Sequence, residues 1–230
     1  YKLFPSWVVN HLDWYMHDSK QHGLSDCIDF ILARDPMLVI CPDSSSNNYS
    51  HHKTLADKNI QVLVLDHHLA DHISENAIII NNQLSDYPNK ELSGVGVVWQ
   101  FCRYVDTWLN VHYADDFIDL VALGNDGDMM SLKSLETRYL ITKGFKKENI
   151  KNPFIDYMLD KNSFPLSKAD YASSDSSMSC TSIGAAFFIV PFVNAITRSG
   201  TLEEKRLLFN SMLNHKAFEE VLSNKRGHKL

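Results

Sequence analysis

Three short apolar runs set the rhythm of the N-terminal half: Met37–Cys41, Val62–Leu65 and Ala77–Ile80. Each is rich in Val, Ile and Leu and is bounded by polar residues or proline. Runs this short, with no polar position inside them, read as strands of a parallel sheet buried on both faces. Val8–Met16 alternates loosely between apolar and polar residues, which predicts a further strand ahead of them. The polar loop His17–Gly23 ends it with a glycine stop. Between the runs the period lengthens to that of helices, over Cys27–Ala33, capped by Ser25 and Asp26, and over roughly Ser50–Lys58. The result is a β-α-β unit with a right-handed crossover.

Beyond Ile80 the pattern becomes helical. After the polar loop Asn81–Glu91, a helix opens at Leu92 and runs through Trp99 and Tyr104 to about Leu109. Asp115 and Asp116 begin another apolar element, Phe117–Leu123, and Leu135–Phe145 reads as a helix. Asn149–Ser179 is polar, with Ser173–Ser177 read as a flexible loop. Cys180–Val193 is an apolar helical stretch. Leu202 to roughly Ser223 is a last helix with Leu207, Leu208, Met212 and Leu213 on one side. The basic residues Lys225–Lys229 read as a solvated terminus. The fold class expected is α/β, a parallel sheet with helices on both faces over residues 1–147, followed by a helical connector over 148–230.

Bulk properties narrow the function. At 230 residues and 44% apolar, the chain can bury the core of one large domain, or of one domain with an appendage. A net charge of -6 excludes a broad basic coat, so contact with a polyanion must be local or carried by metal ions. Cys27, Cys41, Cys102 and Cys180 are scattered and form no CxxC pair. They read as reduced core residues of a cytoplasmic protein, not as a disulfide frame or a zinc site. The most apolar run, Ile183–Ile196, is too short for a membrane span and holds Pro191 and Asn194, so no membrane role is expected. The chain opens at Tyr1 and reads as truncated at its N-terminus.

Chemistry-bearing residues follow the apolar runs. Asp43 stands after the first strand and Asp66-His67-His68 directly after the second. The C-terminal edge of a parallel sheet is where ligands bind, because loops and helix N-termini converge there. A third acid, Asp128, follows Phe117–Leu123 in a glycine-flanked cluster, and those glycines permit the tight turn that would aim its carboxylate. Each acid taken alone serves equally as a helix cap or a turn residue, and the two histidines as a solvated turn. Converging on one edge, they form a hard divalent-ion site. Mixed Asp/His ligation suits Mn2+, with Mg2+ as the second choice. Two such ions roughly 3.5–4 Å apart would activate water and clamp a phosphoryl group. Gly94 and Gly96 either let backbone amides approach an anion at a helix start or serve helix packing.

The chain resembles the DHH phosphoesterases, and within them the phage-type RecJ-like single-strand-specific 5′ to 3′ exonucleases. The likeness rests on Pro-Asp-Ser-Ser-Ser-Asn at Asp43, Asp-His-His at Asp66, Leu-Ser-Gly-Val-Gly-Val at Gly94, Leu-Gly-Asn-Asp-Gly-Asp at Asp128 and Pro-Phe-Val-Asn-Ala-Ile-Thr-Arg at Arg198. The resemblance implies that Asp43 bridges two Mn2+ ions and that His67 and Asp128 complete the shell of the second. It implies further that His68 faces the scissile phosphate, that Asp66 supports a histidine ring, and that Asn194 and Arg198 lie near substrate phosphates. Single-stranded nucleic acid is the implied substrate, with a single-strand-binding protein or a helicase as partner.

Two departures stand out. The family's Asp-x-Asp motif has no counterpart, since His11-Leu12-Asp13 falls where the second strand should be. Asp126 occupies a position that is apolar in the family, and it adds a stray charge or points to solvent. Other readings on the same scaffold are a phosphodiesterase of short oligonucleotides or cyclic dinucleotides, and a catalytically silent replisome-type subunit.

Overall fold

Among the described residues three parallel strands, β1 (Leu38–Pro42), β2 (Gln61–Asp66) and β3 (Ile78–Asn81), lie side by side in that order. Cys41 pairs with Val64, which pairs with Ile79, and Asp66 pairs with Asn81. All three strands therefore end in one row. The computed structural model describes residues 11–18, 22–163 and 177–213.

Two helices cover one face of the sheet. α1 (Leu24–Arg34) and α2 (Tyr49–Ala56) close over Val62 and Val64 through Leu24, Ile31 and Leu55, all buried. The opposite face is guarded by α3 (Gly94–Leu109), which lies against β2, where Leu65 is buried. Burial on both faces therefore holds for β2 but not for its neighbours. Leu38, Ile40 and Ile78 are 46%, 50% and 64% exposed.

His52 is an odd member of this core. It is fully buried on α2, and neither ring nitrogen has a hydrogen-bond partner. Burial pushes its pKa below the usual imidazole value, against a smaller opposing pull from the Ser45 backbone. A depressed folded-state pKa means that the unfolded chain takes up the proton first. The stability tied to neutral His52 is present above about pH 6.5 and is lost as pH falls towards the folded-state value. His52→Leu is accordingly expected to raise stability by about 1 kcal/mol or more at neutral pH, by removing two desolvated nitrogens. The gap should widen in acid. Urea midpoints of both proteins at about pH 7.5 and 5.5 check this, and a gap that narrows on acidification would refute it.

The second layer is helical. A 3-10 turn, Ala114–Phe117, leads into α4 (Ile118–Gly127), which packs on α5 (Leu135–Gly144). Helices α6 (Pro153–Lys161), α7 (Ser182–Phe188), α8 (Val190–Ser199) and α9 (Leu202–Leu213) complete it. Phe145, Phe154, Ile155, Ala185 and Ile189 are fully buried in one cluster with Ala122 of α4 and Leu208 of α9.

Several expectations are corrected here. Residues 11–16 form no strand. Trp14 instead approaches Phe209 (ring centroids 6.2 Å), and Tyr15 packs edge-on to Phe30 at 4.9 Å. Ser25 and Asp26 do not cap α1, which starts earlier. Its first amide, Leu24 N, donates to Ser45 Oγ (3.2 Å) and Asn48 Oδ1 (3.3 Å). The polar stretch 149–179 contains α6, whose Asn152 cap and Pro153 start are followed by buried Phe154, Ile155 and Met158. The apolar stretch near the C-terminus is two helices, not one, divided at Ile189. By length and mean hydropathy (1.3), the stretch Ser182–Ser199 is apolar enough to cross a membrane; Ala185, Ile189 and Val190 of it lie in the core, while Ile183 and Phe187 are exposed. Cys102 is exposed, whereas the other three cysteines are buried. The serine loop at 173–176, the continuation of the last helix and the basic tail fall outside the described residues.

Candidate metal centre at the sheet edge

β1 ends at Pro42 and turns at Asp43, a left-handed residue (φ 57) whose amide still bonds Leu65 O at 2.8 Å. Aspartate tolerates that conformation better than most side chains. The turn sends its carboxylate to the strand edge, where the start of α3 leaves a gap. A Cβ on Gly94 would lie 2.1 Å from Asp43 Oδ1. The absence of a side chain at Gly94 thus makes room for Asp43. Gly96 serves packing, with Leu92 and Asn125 next to its missing Cβ, and its amide caps the helix on Ser93 Oγ.

β2 delivers the triplet. Asp66 is 1% exposed, and its Oδ1 accepts from the amides of His67 (2.8 Å) and His68 (3.3 Å) and meets His68 Nδ1 at 2.7 Å. Its Oδ2 accepts from Ser46 N at 3.2 Å. Burial alone would raise its pKa, but hydrogen bonds from His68, Ser46 and the His67 amide together hold it below the usual carboxylate value. Asp66 therefore orients the loop and the His68 ring, and His68 Nε2 is the nitrogen left for a ligand. β3 ends in a matching support, since Asn81 Nδ2 donates to Ser46 Oγ and to His68 O, both at 2.9 Å. Asn81 was missed in the sequence, although it follows its strand as Asp43 and Asp66 follow theirs.

His67 sits between two acids. Its Nε2 is 3.2 Å from Asp43 Oδ1 and 3.7 Å from Asp128 Oδ2. The hydrogen bond to Asp43 raises the His67 pKa, against burial, with the charges of Asp43 and Asp128 adding to it. Asp43, His67 and His68 can each offer a ligand atom within 4.8 Å of the others. Two carboxylates around one imidazole favour a positive charge at their centre, and a divalent ion meets that demand with the ring neutral.

Asp128 arrives differently from the sequence expectation. It caps the C-terminus of α4, and Gly124 and Gly127 lie within that helix. The turn is made after it by Met129, at φ 54. Burial and the Asp43 charge raise the Asp128 pKa, opposed by His67, His68 and Arg198. Arg198, exposed on α8, thus contributes its positive charge to the cluster. Asn194, one turn earlier on α8, makes no side-chain hydrogen bond to the cluster among the described residues. Asp126 neither joins the cluster nor points to solvent. It is 8% exposed, accepts from Ser182 Oγ, and its pKa is pushed up to about 6 by burial.

Known proteins resemble this chain over most of its length. The chain is 38% identical over 218 residues to YorK of the Bacillus subtilis SPbeta prophage and to its counterpart in Bacillus phage SPbeta, both named as single-strand DNA-specific exonucleases. That alignment takes in 94% of this chain but 35% of the relatives, so the chain spans about a third of their length. A RecJ single-stranded-DNA-specific exonuclease of Haemophilus influenzae is 32% identical over 124 residues, 48% of this chain and 22% of that protein. Among solved structures, a manganese-bound exonuclease RecJ matches 88% of this chain and 48% of its own, with a TM-score of 0.68 at 18% identity. RecJ of Thermus thermophilus in complex with Mn2+ matches 87% of this chain and 28% of its own, again with a TM-score of 0.68. These two likenesses establish a shared fold. Residues 4–125 match the N-terminal domain of the DHH family, and with more than half of its length covered the chain belongs to that family.

Proposed function

We propose that this chain carries part of a metal-dependent phosphodiesterase centre that hydrolyses single-stranded DNA from the 5′ end, with Mn2+ as the ion. The observation that supports it is His67 Nε2 held 3.2 Å from Asp43 and 3.7 Å from Asp128 at a sheet edge. Asp43, His67 and Asp128 would hold one ion. A second ion bridged by Asp43 would need the acids of the Asp-x-Asp pattern, for which this sequence has no counterpart. A bound divalent ion supplies charge neutralisation at the phosphoryl group and an activated water.

The chain's own residues do the rest. His68, with Nδ1 held against Asp66, presents Nε2 outward, and in its charged form that nitrogen donates to a phosphate oxygen. Arg198 adds a guanidinium suited to phosphate oxygens on the side of Asp128. The relatives named as single-strand DNA-specific exonucleases favour DNA over a cyclic dinucleotide.

Paired titrations test this reading. Calorimetry with Mn2+ should lose its signal in Asp43→Ala and Asp128→Ala, whereas Arg198→Ala should keep it and bind a single-stranded oligonucleotide about tenfold more weakly. Unchanged Mn2+ affinity in both acid variants would remove the metal site. Loss of label from a 5′-labelled strand tests polarity, and release from the 3′ end alone would contradict the direction assigned.

A further inference from the structure

Beside the cluster lies a third imidazole that the metal ligands leave unused. The ring of His22 is 5.9 Å from that of His68 between centroids, with the planes at 50°, while His67 and His68 are 4.6 Å apart. His22 is exposed and makes no hydrogen bond or ion pair among the described residues.

The backbone that follows His22 is tied down, and His17 and Asp18 are anchored further upstream. Immediately after His22, Gly23 holds φ 121, and a Cβ there would come within 3.0 Å of Asn48 Oδ1. The next amide, Leu24 N, donates to Ser45 Oγ and Asn48 Oδ1, which belong to the loop that follows Asp43. Upstream, Lys205 of α9, 8% exposed, donates through Nζ to Asp18 O (2.8 Å) and His17 O (3.4 Å). The same loop that carries Asp43 therefore anchors His22 next to His68.

The chemistry of this spot differs from that of the cluster. Around His67 two carboxylates converge, whereas at His68 the buried carboxylate of Asp66 is engaged with Nδ1, and His22 meets His68 ring to ring. The ring edges that His22 and His68 leave uncommitted can present N–H donors, which suit a phosphate oxygen. We propose that His22 is a substrate-binding residue whose ring N–H donates to a phosphate oxygen next to the one facing His68, so that the nucleic-acid backbone is gripped by two imidazoles. The inference rests on the nucleic-acid reading of the site.

The test is binding of a fluorescein-labelled dodecathymidylate, followed by anisotropy in EDTA so that no divalent ion contributes. His22→Ala should weaken binding about tenfold, as for loss of a hydrogen bond to a charged acceptor. His22→Gln, which keeps an N–H donor, should recover most of that loss. Mn2+ affinity should be unchanged in both variants, a result that a distorted site would not give. If His22→Ala binds like wild type while Arg198→Ala is weakened, the His22 assignment falls and the function stands. If the wild type does not bind the strand, the nucleic-acid reading falls. The ring-nitrogen NMR signals of His22 on addition of inorganic phosphate then decide: a shift upholds the phosphate contact, and no shift overturns it.

Discussion

Gly94→Ala is expected to abolish Mn2+ binding while leaving the chain folded. The methyl group would sit 2.1 Å from Asp43 Oδ1, 2.4 Å from its Cγ and 2.6 Å from its Cβ. A clash with Oδ1 alone could be relieved by rotating the carboxylate. A clash with Cβ cannot, because Cβ is fixed by the backbone, and Asp43 is already in a left-handed turn bonded to Leu65 O. Either Asp43 or the first turn of α3 must move. The helix is anchored by buried Ser93, Val97 and Trp99, with Trp99 Nε1 bonded to Ala114 O at 3.0 Å, so Asp43 is the part that yields. Once displaced, it no longer faces His67. The loss should exceed the ~10–100-fold that changes behind a ligand typically cost. Calorimetric titration measures it, with Gly96→Ala as the comparison, since a Cβ there meets Leu92 no closer than 3.3 Å and touches no ligand. Wild-type Mn2+ affinity in Gly94→Ala would refute the crowding argument.

That example also marks how far the sequence could be read. Asp43 and His67 were visible as strand-end residues because their apolar runs are short and uninterrupted, and the parallel register places those ends in one row. The reason for Gly94 was not visible, since it depends on the approach of two segments far apart in sequence. Asp128 was visible as an acid after an apolar run, but the run is the helix α4, and the turn belongs to Met129 and not to the glycines. Helix α6 was legible in principle. Asn152-Pro153 is a helix start and Phe154, Ile155 and Met158 have helical spacing, yet the polar composition of the surrounding stretch outweighed that short signal. Asp126 points inward only because Ser182 of α7 meets it, a tertiary fact that no local pattern carries.

Asp119→Ala should be the most destabilising single change in the helical layer. Asp119 is fully buried, and its Oδ2 accepts from the amides of Lys151 (2.8 Å) and Asn152 (2.7 Å) while Oδ1 accepts from Leu120 N (2.8 Å). Those bonds tie α4 to the start of α6. Asn152 then carries the link onward, accepting from Phe154 N at 3.0 Å and donating to Met212 O of α9 at 2.9 Å. Phe154 and Ile155, both fully buried, sit directly under this polar chain. Removing the carboxylate strands the buried amide of Asn152, at about 1–3 kcal/mol, and takes a partner from the part-buried bonds of the Lys151 and Leu120 amides, which cost less, for a total of about 2–4 kcal/mol. Against a typical stability of about 5–15 kcal/mol, that is a large fraction. Asp119→Asn keeps one acceptor oxygen and should lose less. Urea unfolding gives the order, and a midpoint for Asp119→Ala equal to that of wild type would show that the bridge does not hold α6 in place. The oligonucleotide affinity adds a second readout. Asp128 ends α4 itself and Arg198 rides on α8 in the same cluster, so Asp119→Ala should weaken both Mn2+ binding and strand binding.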